Sequence, residues 1–187
     1  MNSAELCIQC WNIYWVFKNI NGYVYNKLED PDFIRQTQSR KVFGLVETQH
    51  VADDIDKLQI KDFKCYQACR KKKKFGRKHG GIAVFIHNSI LRGVSKVGTQ
   101  GSDSVILKLD KNYFKLDRDT YLLFVYCCPA NSSYVTRTGL DTFSDLEQKL
   151  ANLDNDSEKI ILGDLNARTG SKLDYIENED NSDLDLT

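Results

Sequence analysis

The sequence predicts an α/β protein in which strands dominate and the sheets are covered on both sides. Its 187 residues, 41% of them hydrophobic, are enough for one substantial domain with a buried core. Several apolar runs lack the alternation of a half-exposed strand, which is typical of strands buried on both faces. One segment, 140–153, instead spaces its apolar residues as a helix does. Together these patterns favour a layered α/β sandwich over an all-β barrel.

The elements are expected in a definite order along the chain. The apolar run 5–11 predicts a first strand, and the polar stretch 18–40 predicts a connection that ends in a short helix near 33–39. Further strands are expected at 41–46, 63–69, 81–87, 105–109, 121–126 and 159–162, with the helix 140–153 before the last. The Gly80-Gly81 pair allows the chain to turn back into the sheet after the loop that precedes it.

The formal net charge of zero conceals an asymmetry along the chain. All 26 Lys and Arg lie before Asp174, whereas six of the 26 acidic residues lie from that point on, so residues 1–173 carry a net charge of +6. We expect 1–173 to form one folded domain and 174–187 to be an acidic tail without regular structure.

The densest basic segment lies between the predicted strands at 63–69 and 81–87. Its cations are Arg70, Lys71, Lys72, Lys73, Lys74, Arg77 and Lys78. Such a run can follow the phosphate backbone of a nucleic acid and release its counterions. It equally suits the solvated tip of a hairpin, and the run alone leaves both interpretations open.

Compartment and cysteine chemistry follow from what the sequence lacks. No apolar run approaches the roughly 18 residues of a membrane span, and no secretory signal is evident at the start. We therefore expect an intracellular protein, nuclear or cytoplasmic, that contacts no membrane. Its six cysteines are expected to be reduced, and the single CxxC at Cys7 and Cys10 does not predict a zinc site.

Four predicted buried strands end in a polar residue that an apolar core would not select: Asn12, Glu47, Tyr126 and Asp164. If these strands share one edge, the four side chains converge on one cleft. Asp164 and Asn166 are two positions apart, so in an extended chain both point the same way. Each residue alone has an ordinary explanation as a cap or turn residue. As a set, carboxylate and amide oxygens beside a phenol suit Mg²⁺ together with a phosphate.

Five segments carry a resemblance to a known family. They are Cys10-Trp11-Asn12-Ile13, Phe43-Gly44-Leu45-Val46-Glu47-Thr48, His79-Gly80-Gly81-Ile82-Ala83-Val84, Phe124-Val125-Tyr126-Cys127-Cys128-Pro129 and Ile161-Leu162-Gly163-Asp164-Leu165-Asn166-Ala167-Arg168-Thr169-Gly170. In these segments the chain resembles the endonuclease/exonuclease/phosphatase superfamily. It looks most like the apurinic-type endonuclease domains of LINE-type retrotransposons and the related host proteins called craniofacial development protein 2-like. The resemblance spans essentially residues 4–170.

The resemblance implies a four-layer αββα sandwich that hydrolyses DNA phosphodiesters with Mg²⁺, or with Mn²⁺. It implies that Glu47 and Asn12 lie at the metal, and that Asn12 also contacts phosphate. Asp164 would position or deprotonate the attacking water, while Asn166 and Tyr126 would donate hydrogen bonds to the scissile phosphate. DNA is therefore the expected partner, and no protein partner is predicted.

The resemblance also sets an expectation about completeness. Family members continue past the motif of Asp164 to a second Asn, a further Asp and a closing Ser-Asp-His segment. We therefore expect the fold to be incomplete at its C-terminus and the hydrolytic activity to be impaired or lost. The three histidines, His50, His79 and His87, are expected to be surface or strand residues rather than replacements.

Two other functions stay open at this point. One is a relic that binds nucleic acid through residues 70–78 without cutting it. The other keeps the superfamily but acts as a phosphatase or phosphodiesterase on inositol phosphates or phospholipids. A long Lys/Arg run suits a polymer of phosphates better than a single headgroup, which favours DNA.

Overall fold

The structure is a computed structural model that describes residues 6–70, 80–98, 102–129, 131–139 and 141–167. The strands are β1 (Ile8–Asn12), β2 (Phe17–Ile20), β3 (Tyr23–Asn26), β4 (Val42–Val46), β5 (Phe63–Ala68), β6 (Ile82–His87), β7 (Val94–Lys96), β8 (Ser104–Leu109), β9 (Thr120–Tyr126) and β10 (Glu158–Asp164). The α-helices are α1 (Pro31–Thr37), α2 (Lys111–Phe114), α3 (Ser133–Thr138) and α4 (Thr142–Ala151). No helix of the described residues is long and apolar enough to cross a membrane.

Eight of the strands form two four-stranded sheets. The first sheet has the order β1-β4-β6-β5 and the second the order β10-β9-β8-β7. In each sheet one outer pair is parallel, β1 with β4 and β10 with β9, while the other neighbours are antiparallel. Parallel neighbours end at the same edge of a sheet, so each sheet presents two carboxyl strand ends together.

The two sheets pack face to face, and helical segments cover their outer faces. The inner core is built from alternate residues of both sheets, such as Val84 and Leu122. The outer face of the first sheet, with Phe43 and Phe85, packs against the helical segment that carries Phe33 of α1. The outer face of the second sheet packs against Leu146 of α4. These layers confirm the four-layer αββα sandwich and explain why β4 and β9 are buried along their whole length.

One inter-sheet contact requires a glycine. A Cβ atom on Gly44 of β4 would lie 2.2 Å from Cδ1 of the Phe124 ring in the opposite sheet. Both residues are fully buried, so neither the ring nor the strand has free space into which it could move. The absence of a side chain at position 44 therefore sets how closely the two sheets approach each other.

The segment predicted as a polar connection contains a strand pair that the sequence interpretation missed. Strands β2 and β3 pair antiparallel across Asn21 and Gly22, whose φ angles are 52° and 88°. Two positive φ angles define a type I′ turn, for which Asn-Gly is the preferred sequence. The connection does end in a helix, α1, with Asp30 as its N-cap and Pro31 in its first turn.

Other elements match the predicted order with small shifts in their bounds. The predicted strands at 41–46, 63–69, 81–87, 105–109, 121–126 and 159–162 correspond to β4, β5, β6, β8, β9 and β10. Strand β7 and helices α2 and α3 were not predicted; they are short and carry little periodicity. The basic run beyond Arg70 and the acidic tail from Asp174 lie outside the described residues.

The edge strand β10 leaves apolar side chains in solvent. Among the described residues it pairs with β9 alone, and Ile160 and Ile161 are each 41% exposed. Because successive residues of a strand point to opposite faces, both faces of the sheet have an uncovered isoleucine at this edge. An open strand edge with apolar side chains favours association with other chains.

We expect Gly44→Ala to lower the free energy of unfolding by about 1–3 kcal/mol, because the new methyl group overlaps the Phe124 ring. Urea unfolding of Gly44→Ala, Phe124→Leu and the double variant measures the effect. The smaller side chain at position 124 should relieve the overlap, so Gly44→Ala should cost less in the Phe124→Leu background. Equal costs in both backgrounds would contradict the proposed contact.

Candidate active site

The carboxyl ends of β1, β4, β9 and β10 meet at one edge of the sandwich. Two hydrogen bonds join the sheets there. Asn12 Nδ2 at the end of β1 donates to Asp164 Oδ2 at the end of β10 over 2.8 Å. The Tyr126 hydroxyl at the end of β9 donates to Glu47 Oε1, directly after β4, over 2.5 Å. The four polar residues that follow buried strands in the sequence therefore do converge.

Tyr126 orients one carboxylate oxygen of Glu47. Its side chain is buried, and burial, reinforced by the hydrogen bond to Glu47, raises the pKa of the phenol above its usual value. The phenol therefore keeps its proton at neutral pH and acts as a hydrogen-bond donor. This bond takes one acceptor position of Oε1, so both carboxylate oxygens of Glu47 have positions through which a cation could be bound.

A loop of hydrogen bonds fixes Asp164 from the other side. Its Oδ1 accepts from the backbone N–H of Asn166 over 3.0 Å, and its backbone carbonyl accepts from Cys127 N over 2.8 Å. The Asn166 side chain completes the loop, because its Nδ2 donates to the Cys127 carbonyl over 2.8 Å. Asp164 and Asn166 are thus held against the segment that follows Tyr126.

The backbone around these residues adopts an unusual conformation. Tyr14, Glu47, Gln49 and Asn166 have φ angles of 63°, 56°, 54° and 45°. Non-glycine residues in the left-handed region cost of order 1–2 kcal/mol each, and they concentrate at functional sites. All four follow the carboxyl ends of β1, β4 and β10, so the strain is stored beside the converging side chains.

His50 is neither a surface residue nor part of a strand, which corrects the sequence prediction. It is 3% exposed, and its Nδ1 lies 2.6 Å from the Thr48 hydroxyl. Its Nε2 lies 3.2 Å from Oε1 of Gln67. These contacts stabilise the turn after Glu47 from the interior of the protein. His87, as expected, lies in a strand, while His79 is outside the described residues.

Arg70 differs from the exposed cation that its place in the basic run predicts. Its side chain and that of Asp103 are each 10% exposed, and the two form an ion pair of 2.8 Å. The guanidinium also donates to Cys128 Sγ over 2.5 Å. A direct contact of Arg70 with DNA phosphate would require this pair to separate. The partner residue Asp103 escaped sequence reasoning because it lies in a polar Gly-Ser-Asp-Ser stretch that resembles an ordinary loop.

The donor atoms at the site are hard oxygen atoms of the kind that divalent cations bind. Among the described residues there is no group of three or more His, Cys, Asp or Glu that could hold a metal. Glu47 offers carboxylate oxygens, while Asn12 Oδ1 already accepts from the backbone N–H of Tyr14 over 3.1 Å and would use its second acceptor position for a cation. Burial and the charge of Asp164 raise the pKa of Cys10 to about 11, so this neighbouring thiol stays protonated.

Comparison with solved structures identifies the fold. The chain is similar to an AP endonuclease from Leishmania major, with a TM-score of 0.50 and 16% identity over 72% of this chain. It is similar to the 3′ phosphatase NExo from Neisseria bound to a product DNA hairpin, with a TM-score of 0.53 and 14% identity over 85%. The catalytic domain of APE2 from Xenopus laevis gives a TM-score of 0.51 and 18% identity over 84%.

The chain therefore has the fold of the endonuclease/exonuclease/phosphatase superfamily, as its motifs predicted. It spans 48% of the Leishmania protein and 57% of each of the other two, or about half of their length. No protein-family model matches the sequence, and no curated protein matches it significantly.

Asn12→Asp should place a second carboxylate directly against Asp164. Two adjacent carboxylates raise the pKa of one of them above its value in the unfolded chain, so the folded state should gain stability as the pH falls through the usual carboxylate range. We expect urea unfolding to show Asn12→Asp less stable than the wild type at pH 7, with a smaller deficit near pH 4.5.

Asn12→Ala is the matched control for this prediction, because it removes the same hydrogen bond without adding a charge. Its deficit should be about 1 kcal/mol and should change little over the same pH interval. A pH-independent deficit in Asn12→Asp would mean that residues 12 and 164 are not neighbours in solution.

Proposed function

We propose that this chain carries the metal-binding and phosphate-positioning half of a site that hydrolyses DNA phosphodiesters. The observation that supports it best is the pair of hydrogen bonds that joins Asn12 to Asp164 and Tyr126 to Glu47 across the two sheets. Acidic, amide and phenolic groups from the ends of four strands thereby lie at one edge of the sandwich, where fixed donors and a base could act on one phosphate.

Glu47 and Asn12 are the proposed ligands of a divalent cation. Bound there, Mg²⁺ or Mn²⁺ would stabilise the charge that grows on the phosphate oxygens during displacement. The hydrogen bond from Tyr126 keeps the Glu47 carboxylate in one orientation, so the ligand does not have to be ordered when the cation arrives.

Asp164 is the proposed group that orients the attacking water and accepts its proton. Both of its carboxylate oxygens are fixed, Oδ2 by Asn12 and Oδ1 by the backbone of Asn166. A carboxylate oxygen has two acceptor positions, so each retains one for a water molecule. A general base must lie within hydrogen-bond reach of the proton it takes, and this fixed orientation serves that need.

Asn166 and Tyr126 are the proposed donors to the scissile phosphate. Asn166 uses its amide in a bond to the Cys127 carbonyl, but an amide has two N–H groups and one is left for substrate. Tyr126 has a single hydroxyl hydrogen, which Glu47 accepts in this structure, so it would donate to phosphate only in a state in which that bond is exchanged.

Two independent features support DNA as the substrate. The solved structures similar to this chain include an AP endonuclease, and a 3′ phosphatase that is bound to a product DNA hairpin. The basic run that follows Arg70, residues 71–78, supplies cations suited to a chain of phosphates. The amino-acid sequences of the motifs around Glu47 and Asp164 resemble those of LINE-type retrotransposon endonucleases, which further favours an endonuclease of that type.

Mg²⁺ binding should depend on Glu47. Isothermal titration should show Glu47→Gln weakening Mg²⁺ binding by about tenfold or more, since the amide removes the negative charge that the cation needs. Asp56→Asn is the matched control, because Asp56 is an exposed carboxylate in the segment that follows β4. Equal losses in both variants would show that the cation binds elsewhere.

The basic run should control the salt dependence of DNA binding. Each phosphate contact that is lost reduces the slope of log K against log[salt] by about 0.9 on duplex DNA. Changing Lys72 and Lys73 together to Ala should therefore flatten the slope by about 1.8 without altering sequence preference. If the slope stays the same, the run is only a solvated hairpin tip.

Linkage between Mg²⁺ and DNA separates the proposal from a relic that only binds. For a hydrolytic site, Mg²⁺ should tighten the binding of a short duplex, and Glu47→Gln should abolish the increase. A relic that binds through residues 70–78 alone would show the same affinity with or without Mg²⁺. Release of inorganic phosphate from inositol phosphates by a protein that has no effect on DNA would favour the phosphatase alternative.

A nicking assay tests the expected impairment. We expect the 187-residue chain to nick plasmid DNA no faster than background. Clear Mg²⁺-dependent nicking that Asp164→Ala abolishes would show that this expectation is wrong and would support the assignment of Asp164 as the base. Nicking that survives Asp164→Ala would point away from the site.

A further inference from the structure

A buried ion pair lies behind the candidate site, between the end of β5 and the start of β8. Arg70 and Asp103 are both about nine-tenths buried, and their side chains meet at 2.8 Å. The second oxygen of Asp103 accepts from the Ser102 hydroxyl over 2.9 Å, so the whole carboxylate is engaged. The chain packs tightly around the pair, since a Cβ on Gly80 would lie 3.2 Å from both side chains.

The pair is connected to Tyr126 through three separate contacts. The carbonyl of Asp103 accepts a hydrogen bond from the backbone N–H of Tyr126 over 3.0 Å. The Arg70 guanidinium lies 5.7 Å from the centre of the Tyr126 ring. It also donates to Sγ of Cys128, two residues further along the chain. The ion pair therefore contacts the backbone of Tyr126, its ring and the loop that follows it.

A second aromatic ring fixes the plane of the guanidinium. The carbon Cζ of Arg70 lies 3.7 Å from the centre of the Tyr134 ring in α3, which is a close cation–π contact. Arginine presents a rigid planar fork, so this close contact with Tyr134 restricts where its remaining N–H groups point. The contact with Tyr134 of α3 therefore helps to orient the N–H groups with which Arg70 binds Asp103 and Cys128.

Stability alone is a poor explanation for this pair. Removing two charges from water costs several kcal/mol per ion, and a well-packed apolar pair of the same size is often as stable or more stable. A buried ion pair is therefore expected where orientation matters. Here the neighbouring Tyr126 ring, whose centre lies 5.7 Å from the guanidinium, carries the hydroxyl that donates to Glu47.

We infer that Arg70, acting with Asp103, is a positioning residue that holds the Tyr126 hydroxyl on Glu47. The inference rests on the proposed function of the site, because it assigns Tyr126 the task of orienting a metal ligand. It moves Arg70 from the set of phosphate contacts to the support of the active-site tyrosine.

A double-mutant cycle on Mg²⁺ affinity tests the inference by isothermal titration. Arg70→Gln and Tyr126→Phe should each weaken Mg²⁺ binding by about tenfold, as loss of a residue that orients a metal ligand commonly does. Since both act through the same hydroxyl, the double variant should lose about tenfold rather than the ~100-fold of independent effects. Independent losses, or full affinity in Arg70→Gln, would overturn the inference.

The controls separate positioning from a merely structural role. Lys108→Gln breaks the ion pair of Lys108 with Asp119 in the same sheet, away from Tyr126, and should leave Mg²⁺ affinity unchanged. Arg70→Lys keeps the charge but loses the planar guanidinium. Compared with Arg70→Gln, it should therefore recover more of the thermal stability of the wild type than of its Mg²⁺ affinity. If Arg70→Gln fails to fold, replacing the pair by Arg70→Met with Asp103→Leu avoids an unpaired buried charge.

A measurement without metal distinguishes failure of the inference from failure of the proposed function. The protein contains nine tyrosines, and 3-fluorotyrosine labelling with the Tyr126→Phe variant identifies the ¹⁹F resonance of Tyr126. That resonance should move in Arg70→Gln and stay in place in Lys108→Gln. If the wild type binds no Mg²⁺ but the resonance moves, the proposed function fails and the positioning role stands. An unmoved resonance in folded Arg70→Gln overturns the positioning role.

Discussion

The parallel pairing of β1 with β4 and of β10 with β9 is the constraint on which the site depends. Each pairing makes two strands end at the same edge, and the close packing of Gly44 against Phe124 brings the two sheets near enough for their ends to meet. The polar residues at these ends lie beyond the apolar core, so they form hydrogen bonds with one another between the two sheets. The hydrogen bonds from Asn12 to Asp164 and from Tyr126 to Glu47 are the result. The same edge also holds the strained backbone of Glu47 and Asn166, which a tightly packed sandwich can support.

Burial of strands on both faces explains why so much of the fold could be predicted from the sequence. A run such as Val42–Val46 has no polar side to place in water, so it requires cover on both sides and therefore layers. The polar residue that ends each run then marks an edge where side chains can meet. The β2–β3 hairpin was missed although Asn21-Gly22 is a strong hairpin signal, because the flanking strands are mostly exposed and lack an apolar stripe. The turn sequence alone indicates this hairpin, because the pattern of apolar residues does not predict its two strands.

The parts of the site that escaped sequence reasoning are those that depend on contacts between distant segments. Arg70 and Asp103 are 33 positions apart and look like a loop cation and a loop acid until the fold brings them together. His50 resembles a surface residue in the sequence, but the turn after β4 carries it into the interior against Gln67. In both cases polar side chains are buried because each finds a partner, and such pairing leaves no periodic trace in the sequence. The resemblance of motifs could name the residues at the site, but it could not reveal what supports them.

Manganese can replace magnesium at oxygen sites, and its unpaired electrons broaden NMR signals from nearby nuclei, so it maps the cation directly. The proposed function requires one cation site where the four strand ends meet. In a ¹H–¹⁵N spectrum, substoichiometric Mn²⁺ should broaden the side-chain amides of Asn12 and Asn166 and the backbone amide of Glu47. The amide of Gly22, at the turn of the β2–β3 hairpin, should stay sharp, and Glu47→Gln should remove the broadening at the strand ends. Broadening centred on the acidic segment 174–187, with Asn12 and Asn166 unaffected, would contradict a cation site at the strand ends.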